Sequence, residues 1–88
     1  MDLSQARGEI DGIDRELASL FVRRLEIVRE VAAYKASIGM NIHQPQREKE
    51  VINRLLDQTD ERFHADLTAL YDRIFDISRA LQARSNAR

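Results

Sequence analysis

Apolar residues recur with a helical spacing through the first forty residues of the chain. If Leu3 is taken as heptad position a, ten of the eleven a and d sites from Leu3 to Ile38 are apolar, and Arg24 occupies the other one. No proline interrupts this stretch, so the pattern predicts one long helix over about residues 4–38, with Ser4 as its N-cap. Gly39 then predicts the end of this helix, and residues 40–44 are expected to form a short loop.

Two shorter helices are predicted in the second half of the chain. Pro45 suits the first position of a helix, and the apolar positions that follow it predict a helix over about residues 45–57. The polar segment 58–62 is expected to be a connection, and a third apolar pattern predicts a helix over about residues 64–83, followed by a frayed tail. The expected fold is all-α, a single domain over residues 1–88 with three helices and one long N-terminal helix.

The length of the first helix predicts a dimer. A helix of about 35 residues is roughly 50 Å long, whereas a compact chain of this size has a radius of gyration of about 12 Å. Two shorter helices cannot cover such a helix, so the rest of its apolar face is expected to pair with the same helix of a second subunit in a twofold-symmetric homodimer.

Composition and charge exclude several classes of function. The 14 Lys and Arg residues balance 15 Asp and Glu residues, so the net charge of -1 does not favour nucleic acid as a partner. The absence of cysteine excludes disulfides and thiolate metal sites, and neither His43 nor His64 has a set of metal ligands near it in sequence. No basic, apolar leader and no apolar run of about 18 residues is present, so we expect a soluble, cytoplasmic protein without a membrane span.

Arg24 is the most informative residue because a guanidinium is costly to bury without a partner. Arg24 and Lys35 lie on the same strip of the predicted first helix, about 16 Å apart along its axis, and two such side chains can hold a small dianion between them. Other interpretations remain open. Arg24 can form a buried ion pair with Asp14 or Glu16 of a second subunit, and Lys35 can be a lysine that extends its ammonium from an apolar border to water.

Further polar residues lie on or beside apolar faces. Ser78 and Gln82 are one turn apart beside the apolar face of the third helix, and Arg47 and Glu48 fall in the first turn of the second. Arg7 precedes Arg24 by about 25 Å on a continuous helix, so it cannot reach the same ligand within one chain, whereas an antiparallel partner helix can bring its own Arg7 there. Each of these residues alone is compatible with an ordinary surface or boundary position. No Ser-His-Asp, Cys-His or paired-carboxylate arrangement is present.

The ordered set resembles the all-α chorismate mutase family. The resemblance covers nearly the whole chain and rests on Arg7, Arg23-Arg24, the stretch from Val31 to Lys35, Gly39, Arg47-Glu48, Ser78 and Gln82. It implies an intertwined homodimer that rearranges chorismate to prephenate without a cofactor or metal ion.

The resemblance also implies a role for each of these residues. Arg24 and Arg7 of the partner subunit would bind the two substrate carboxylates, supported by Arg47 and Ser78. Lys35 and Gln82 would be the catalytic donors to the ether oxygen, and Glu48 would accept the ring hydroxyl. One departure is Gln44, because family members commonly carry an acidic residue at this position.

Two other functions remain open at this point. Isochorismate-pyruvate lyase is a related activity on the same fold, but its substrate does not require a carboxylate at position 48, so Glu48 favours the mutase. The other is a helical dimerisation or regulatory module without catalysis, in which the arginines of the apolar face form ion pairs between subunits.

Overall fold

The computed structural model describes residues 1–86, and their architecture is all-α. Helix α1 spans Leu3–Ser37, α2 spans Pro45–Asp57 and α3 spans His64–Asn86, and a short 3-10 helix, Glu61–Phe63, precedes α3. The prediction of an all-α fold with three helices and a long N-terminal helix is therefore confirmed. None of the helices in this part of the chain combines the length and the apolar character needed to cross a membrane.

Helix α1 begins earlier than the sequence analysis predicted. Asp2 is the N-cap: its carboxylate accepts a hydrogen bond of 2.8 Å from the Gln5 backbone N–H, and the Gln5 side chain accepts one of 3.1 Å from the Asp2 N–H. The prediction of Ser4 as N-cap is wrong. This reciprocal pair satisfies two backbone donors at once, and Ser4 lies inside the first turn.

The conformation at the end of α1 determines where the following loop begins. Gly39 adopts a left-handed φ of 70°, its N–H donates to the Ala36 carbonyl, and the Met40 N–H donates to the Lys35 carbonyl at 2.8 Å. This pair of bonds is a Schellman motif, which requires a residue that tolerates positive φ, and it confirms Gly39 as the helix stop. Residues 40–44 then reverse the chain, and α2 begins at Pro45.

Helices α1 and α3 run in the same direction and pack against each other. Arg24 contacts Ser78, and eight residues later Ala32 accepts a hydrogen bond of 3.2 Å from the Asn86 side chain. Ala32 and Phe75 are the buried apolar residues of this interface. The predicted frayed tail is wrong for residues 84–86, which belong to α3 and are held by the bond from Asn86. Residues 87 and 88 of that predicted tail lie outside the described residues.

The connection between α2 and α3 is more ordered than a polar linker. The Asp60 carboxylate accepts a 2.9 Å bond from the Arg62 N–H and also pairs with the Arg62 guanidinium at 3.0 Å. These hydrogen bonds from Arg62 lower the pKa of Asp60 below its ordinary value. The His64 ring hydrogen bonds to the Thr59 carbonyl, so both sides of the turn are fixed at the start of α3.

Much of the apolar face of α1 is left uncovered within one chain. The molecule measures 53 × 26 × 15 Å with a radius of gyration of 16.1 Å, compared with about 12 Å for a compact chain of this length. Leu17 and Leu20 are 55% and 60% exposed, and the predicted a and d positions Ile10, Ile13 and Ile27 are also at least half exposed. A monomer with this surface would keep a long apolar stripe in water.

Candidate active site

A cavity of about 220 Å³ lies between α1, the loop after it, α2 and α3. Six of the seven site residues predicted from the sequence line it: Arg24, Lys35, Arg47, Glu48, Ser78 and Gln82. Its apolar walls come from Val28, Val31, Val51 and Phe75. Residues from all three helices are therefore brought together around one space. A larger open groove of about 420 Å³ lies elsewhere, and its charged lining residues are two carboxylates, Glu26 and Glu30, and one cation, Arg29.

Arg24 crosses from α1 to α3. Its guanidinium donates a hydrogen bond of 3.0 Å to the Ser78 hydroxyl, and its Cζ atom lies 5.9 Å from the ring centre of Tyr71 and 5.8 Å from that of Phe75. Aromatic faces and a hydroxyl thus stabilise the cation, and no carboxylate within residues 1–86 pairs with it. The guanidinium therefore keeps donors that an anionic ligand can use.

Lys35 lies at the other end of the cavity, in the last turn of α1, where its backbone carbonyl belongs to the Schellman motif. Its Nζ donates to the Ile42 carbonyl at 3.3 Å, across the loop that Gly39 begins. An ammonium group carries three donors, so this single long bond leaves two of them for a ligand. The loop carbonyl thereby holds the lysine along the cavity wall.

Ser78 and Gln82 form the floor of the cavity on α3. Both residues are buried, at 5% and 6% exposure. The Gln82 Nε2 donates to the Ser78 backbone carbonyl at 3.3 Å, one turn earlier, and its Oε1 is buried without a hydrogen-bond partner among residues 1–86. A buried polar atom without a partner is costly, and it is typical of a site that a ligand completes.

Glu48 is paired with a residue that the sequence analysis did not single out. Both carboxylate oxygens of Glu48 accept from Nη1 of Arg79, the shorter contact being 2.5 Å, and Nη2 of Arg79 donates to Asp76. The hydrogen bond with Glu48 is the main cause that raises the pKa of Arg79. Arg79 follows Ser78 directly, but consecutive residues of a helix lie on different faces, so this adjacency in sequence did not identify Arg79 as a site residue.

Two residues at the rim are less constrained. The Arg47 side chain is 61% exposed, and its Nη1 lies 4.0 Å from a Glu50 carboxylate oxygen. Gln44 also lines the cavity, and its Nε2 donates to the Asn41 carbonyl at 2.8 Å within the loop. Among the described residues, the cavity therefore has one carboxylate, Glu48, and four cationic side chains, a balance that favours a dianionic ligand.

Arg7 is the predicted site residue that the cavity does not include. It lies exposed in the second turn of α1 and is absent from the lining of this cavity. Seventeen residues separate Arg7 from Arg24, which corresponds to about 25 Å along the helix. Within one chain, Arg7 and Arg24 cannot hold the same small ligand.

Metal binding has no visible basis in the part of the chain that is described. Residues 1–86 contain no group of three or more His, Asp or Glu side chains placed to hold a metal ion. His43 is exposed in the loop, and the His64 ring is engaged with Thr59.

Sequence comparison connects this fold and cavity with known proteins. The T-protein of Haemophilus influenzae is 41% identical over 66 residues, which are 74% of this chain and 18% of that protein. The bifunctional chorismate mutase/prephenate dehydratase of Aquifex aeolicus is 33% identical over 62% of this chain and 15% of its own length. The chorismate mutase of Methanocaldococcus jannaschii is 34% identical over 60% of this chain and 54% of its own length. The chain thus spans only a small part of the longer relatives.

Structural comparison also finds a similar chorismate mutase, over almost the whole length of this chain. The crystal structure of chorismate mutase from Helicobacter pylori in complex with prephenate superimposes with a TM-score of 0.87 at 34% sequence identity, covering 98% of this chain and 97% of that one. A family model described as chorismate mutase type II matches residues 6–83, which include α2, most of α1 and α3, and every predicted site residue. This chain therefore belongs to the chorismate mutase type II family.

Proposed function

We propose that this chain catalyses the rearrangement of chorismate to prephenate. The observation that carries the proposal is the cavity in which Arg24, Lys35, Glu48, Ser78 and Gln82 converge from three helices. The solved neighbour with the same fold binds prephenate, which supports a ligand of the same class here. A cavity with four cations and one carboxylate matches a small dicarboxylate with a ring hydroxyl.

The proposed chemistry needs no nucleophile, cofactor or proton transfer. One C–O bond breaks and one C–C bond forms in a single pericyclic step, so the protein contributes conformation and electrostatics. Clamping both carboxylates holds the enolpyruvyl side chain over the ring, which removes much of the entropic part of the barrier. As the C–O bond stretches, negative charge develops on the ether oxygen, and fixed donors there stabilise the transition state more than the substrate.

We assign the donors to the ether oxygen to Lys35 and Gln82. Lys35 keeps two free donors beside its bond to the Ile42 carbonyl, and the Gln82 amide has a second N–H beyond the one on the Ser78 carbonyl. Loss of either donor is expected to cost about 3 kcal/mol in transition-state stabilisation.

The remaining assignments concern substrate binding. Arg24 would bind one carboxylate, with Ser78 and Arg47 supporting it, and Glu48 would accept the ring hydroxyl. A carboxylate at position 48 favours chorismate over isochorismate, whose hydroxyl lies elsewhere on the ring. The second substrate carboxylate is assigned to Arg7 of the partner subunit.

The dimer belongs to the same proposal. The exposed apolar face of α1 continues into an apolar cavity of about 270 Å³ beside α3, whose lining includes Leu17, Leu20, Leu67 and Leu70. An antiparallel second copy would cover this face and would bring its own Arg7 toward Arg24.

The single domain over residues 1–88 and the cytoplasmic location also remain predictions from the sequence.

The test is an assay of the purified chain with chorismate and no added cofactor. Prephenate should form, and Lys35→Ala should lose most of the turnover while its oligomeric mass and circular dichroism stay unchanged. A matched control is Lys49→Ala, an exposed lysine of α2. Conversion of isochorismate to salicylate and pyruvate without prephenate formation would instead favour the lyase, and equal turnover of wild type and Lys35→Ala would favour a non-catalytic module.

A further inference from the structure

Arg79 is a cation of the cavity to which neither the sequence pattern nor the proposed chemistry gives a role. It lies on α3 between two turns that carry site residues, one residue after Ser78 and three before Gln82. Its side chain is 29% exposed, and that of Glu48, its partner on α2, is 23% exposed. The pair therefore lies at the edge of the cavity, partly shielded from water, rather than on the open surface.

The helix geometry explains why Arg79 reaches Glu48. A step of one residue turns the side chain by about 100° around a helix of 3.6 residues per turn, so Arg79 leaves the buried face of Ser78 and projects toward α2. Asp76, one turn earlier on α3, accepts a hydrogen bond from Nη2 of Arg79 at 2.5 Å. Two carboxylates thus fix the guanidinium plane, Asp76 from its own helix and Glu48 from across the cavity.

The pairing leaves the Glu48 carboxylate able to accept another hydrogen bond. Both of its oxygens accept from one nitrogen, Nη1 of Arg79, at 2.6 and 2.5 Å. An ionised carboxylate has about four lone-pair positions, so positions remain for a ligand hydroxyl. The cation also offsets the charge of Glu48, which would otherwise repel a dianionic ligand in the same cavity.

We infer that Arg79 is a positioning residue for Glu48: it holds the carboxylate at the cavity edge and compensates its charge, so that Glu48 accepts the ring hydroxyl of the substrate. This inference rests on the proposed function. It assigns to Arg79 an effect on substrate affinity that passes through Glu48, and no contact with the reacting atoms. Asp76 contributes indirectly to the position of Glu48, since it orients the Arg79 guanidinium.

A double-mutant cycle between Arg79 and Glu48 tests the inference. In the wild-type background, Arg79→Gln should raise KM for chorismate about tenfold, the effect of losing one charge-assisted hydrogen bond, with a smaller change in kcat. Glu48→Gln should bind chorismate more weakly than wild type, but its KM should remain measurable because its amide oxygen still accepts a hydrogen bond. In that background, Arg79→Gln should change KM less than about threefold.

Three further variants separate positioning from a general loss of structure. Arg79→Lys should recover part of the affinity, because an ammonium keeps the charge but cannot bind Glu48 and Asp76 in one plane. Asp76→Asn leaves Arg79 in place and should raise KM less than Arg79→Gln does, with no effect when Glu48 is already glutamine. Arg73→Gln, an exposed arginine of the same helix, should leave KM unchanged.

The outcomes distinguish this inference from the function on which it rests. If wild-type protein forms no prephenate, the proposed function fails. If wild type is active and Arg79→Gln raises KM equally in both backgrounds, Arg79 acts on the substrate directly and the inference is overturned. If Arg79→Gln does not fold, the Asp76→Asn comparison decides in the same way, since an equal rise in both backgrounds would again overturn it.

Discussion

Arg24 of α1 donates a 3.0 Å hydrogen bond to the hydroxyl of Ser78 on α3, and its Cζ atom lies 5.9 and 5.8 Å from the ring centres of Tyr71 and Phe75. The cation in the apolar pattern is therefore stabilised by a hydroxyl and two aromatic faces, without a carboxylate from residues 1–86. Such an arrangement leaves the positive charge uncompensated. This is the property expected of an arginine that binds an anionic group from outside its own chain, either a ligand or a carboxylate of a second subunit.

The first prediction concerns Arg24→Leu. Leucine restores a hydrocarbon to the apolar face of α1, and Ser78 can then donate to a carbonyl of its own helix, so the free energy of unfolding should stay within about 1 kcal/mol of wild type or increase. The carboxylate clamp is lost, and kcat/KM for chorismate should fall at least about a hundredfold, equivalent to about 3 kcal/mol. Thermal unfolding and steady-state kinetics on the same samples measure both effects.

Arg23→Leu is the matched control for this prediction, because Arg23 is exposed on the adjacent position of α1 and does not line the cavity. It should retain wild-type kcat/KM. A strong loss of stability in Arg24→Leu, with activity retained, would identify Arg24 as a structural residue.

The second prediction concerns Gln82→Glu. A carboxyl at this buried position donates a hydrogen bond only when it is protonated, whereas the amide donates at every pH. The variant should therefore be most active in acid and should lose activity as the pH rises, in a range where the wild type does not. Profiles of kcat/KM against pH for both proteins measure the difference.

Gln58→Glu places the same change on an exposed residue between α2 and the 3-10 helix, and its profile should follow the wild type. Parallel profiles for Gln82→Glu and wild type would exclude Gln82 as a donor to the ether oxygen.

Local spacing predicted those parts of the site that lie on one helix. Arg24 and Lys35 share a strip of α1 because the helical repeat fixes it, and Ser78 and Gln82 share a face of α3 for the same reason. Arg79 was missed because its partner, Glu48, is 31 residues earlier on another helix. Periodicity within α3 carries no information on which neighbour lies beside position 79, and only the packing of α2 against α3 supplies it.

Helix ends were harder to predict than helix faces. Ser4 and Asp2 are both good N-cap residues, and the choice between them depended on Gln5 reaching back to the Asp2 N–H. The helical residues 84–86 include Asn86, whose side chain donates to the Ala32 carbonyl of α1, and a local pattern does not contain such a long-range bond. Gly39, in contrast, was predicted correctly because α1 stops at a residue with positive φ, and glycine itself tolerates this conformation.

The third prediction is a pH dependence of stability at the turn before α3. The pKa of Asp60 lies below its ordinary value of 3.8 in the folded chain, because Arg62 hydrogen bonds to the ionised carboxylate. A carboxyl whose pKa is lower in the folded than in the unfolded chain stabilises the fold at pH values above its ordinary pKa. This contribution disappears as the pH falls through the folded pKa. Asp60→Asn should therefore lower the unfolding temperature slightly at neutral pH, and the difference should shrink toward zero in acid.

Asparagine can still accept the Arg62 N–H, so the variant removes the charge and keeps the cap. Asp11→Asn, at an exposed position of α1, is the control for the general effect of removing one carboxylate. A difference for Asp60→Asn that is constant from neutral to acid pH would contradict the ion pair as its cause.

The last prediction tests the proposed contribution of Arg7 from a second subunit. If each site combines Lys35 of one chain with Arg7 of the partner subunit, then Arg7→Ala and Lys35→Ala dimers should both be nearly inactive. In a mixed dimer, however, the Arg7→Ala chain supplies Lys35 and receives an intact Arg7, so one of its two sites is complete. Random association of equal amounts gives about one half mixed dimers, and the mixture should recover about one quarter of wild-type activity per chain. Co-refolding of the two variants, with the mixed dimer identified by two different affinity tags, measures this recovery. Mixed dimers without recovered activity would show that Arg7 does not complete the site across the interface. The exposed apolar face of α1 would then form the dimer without contributing to the active site.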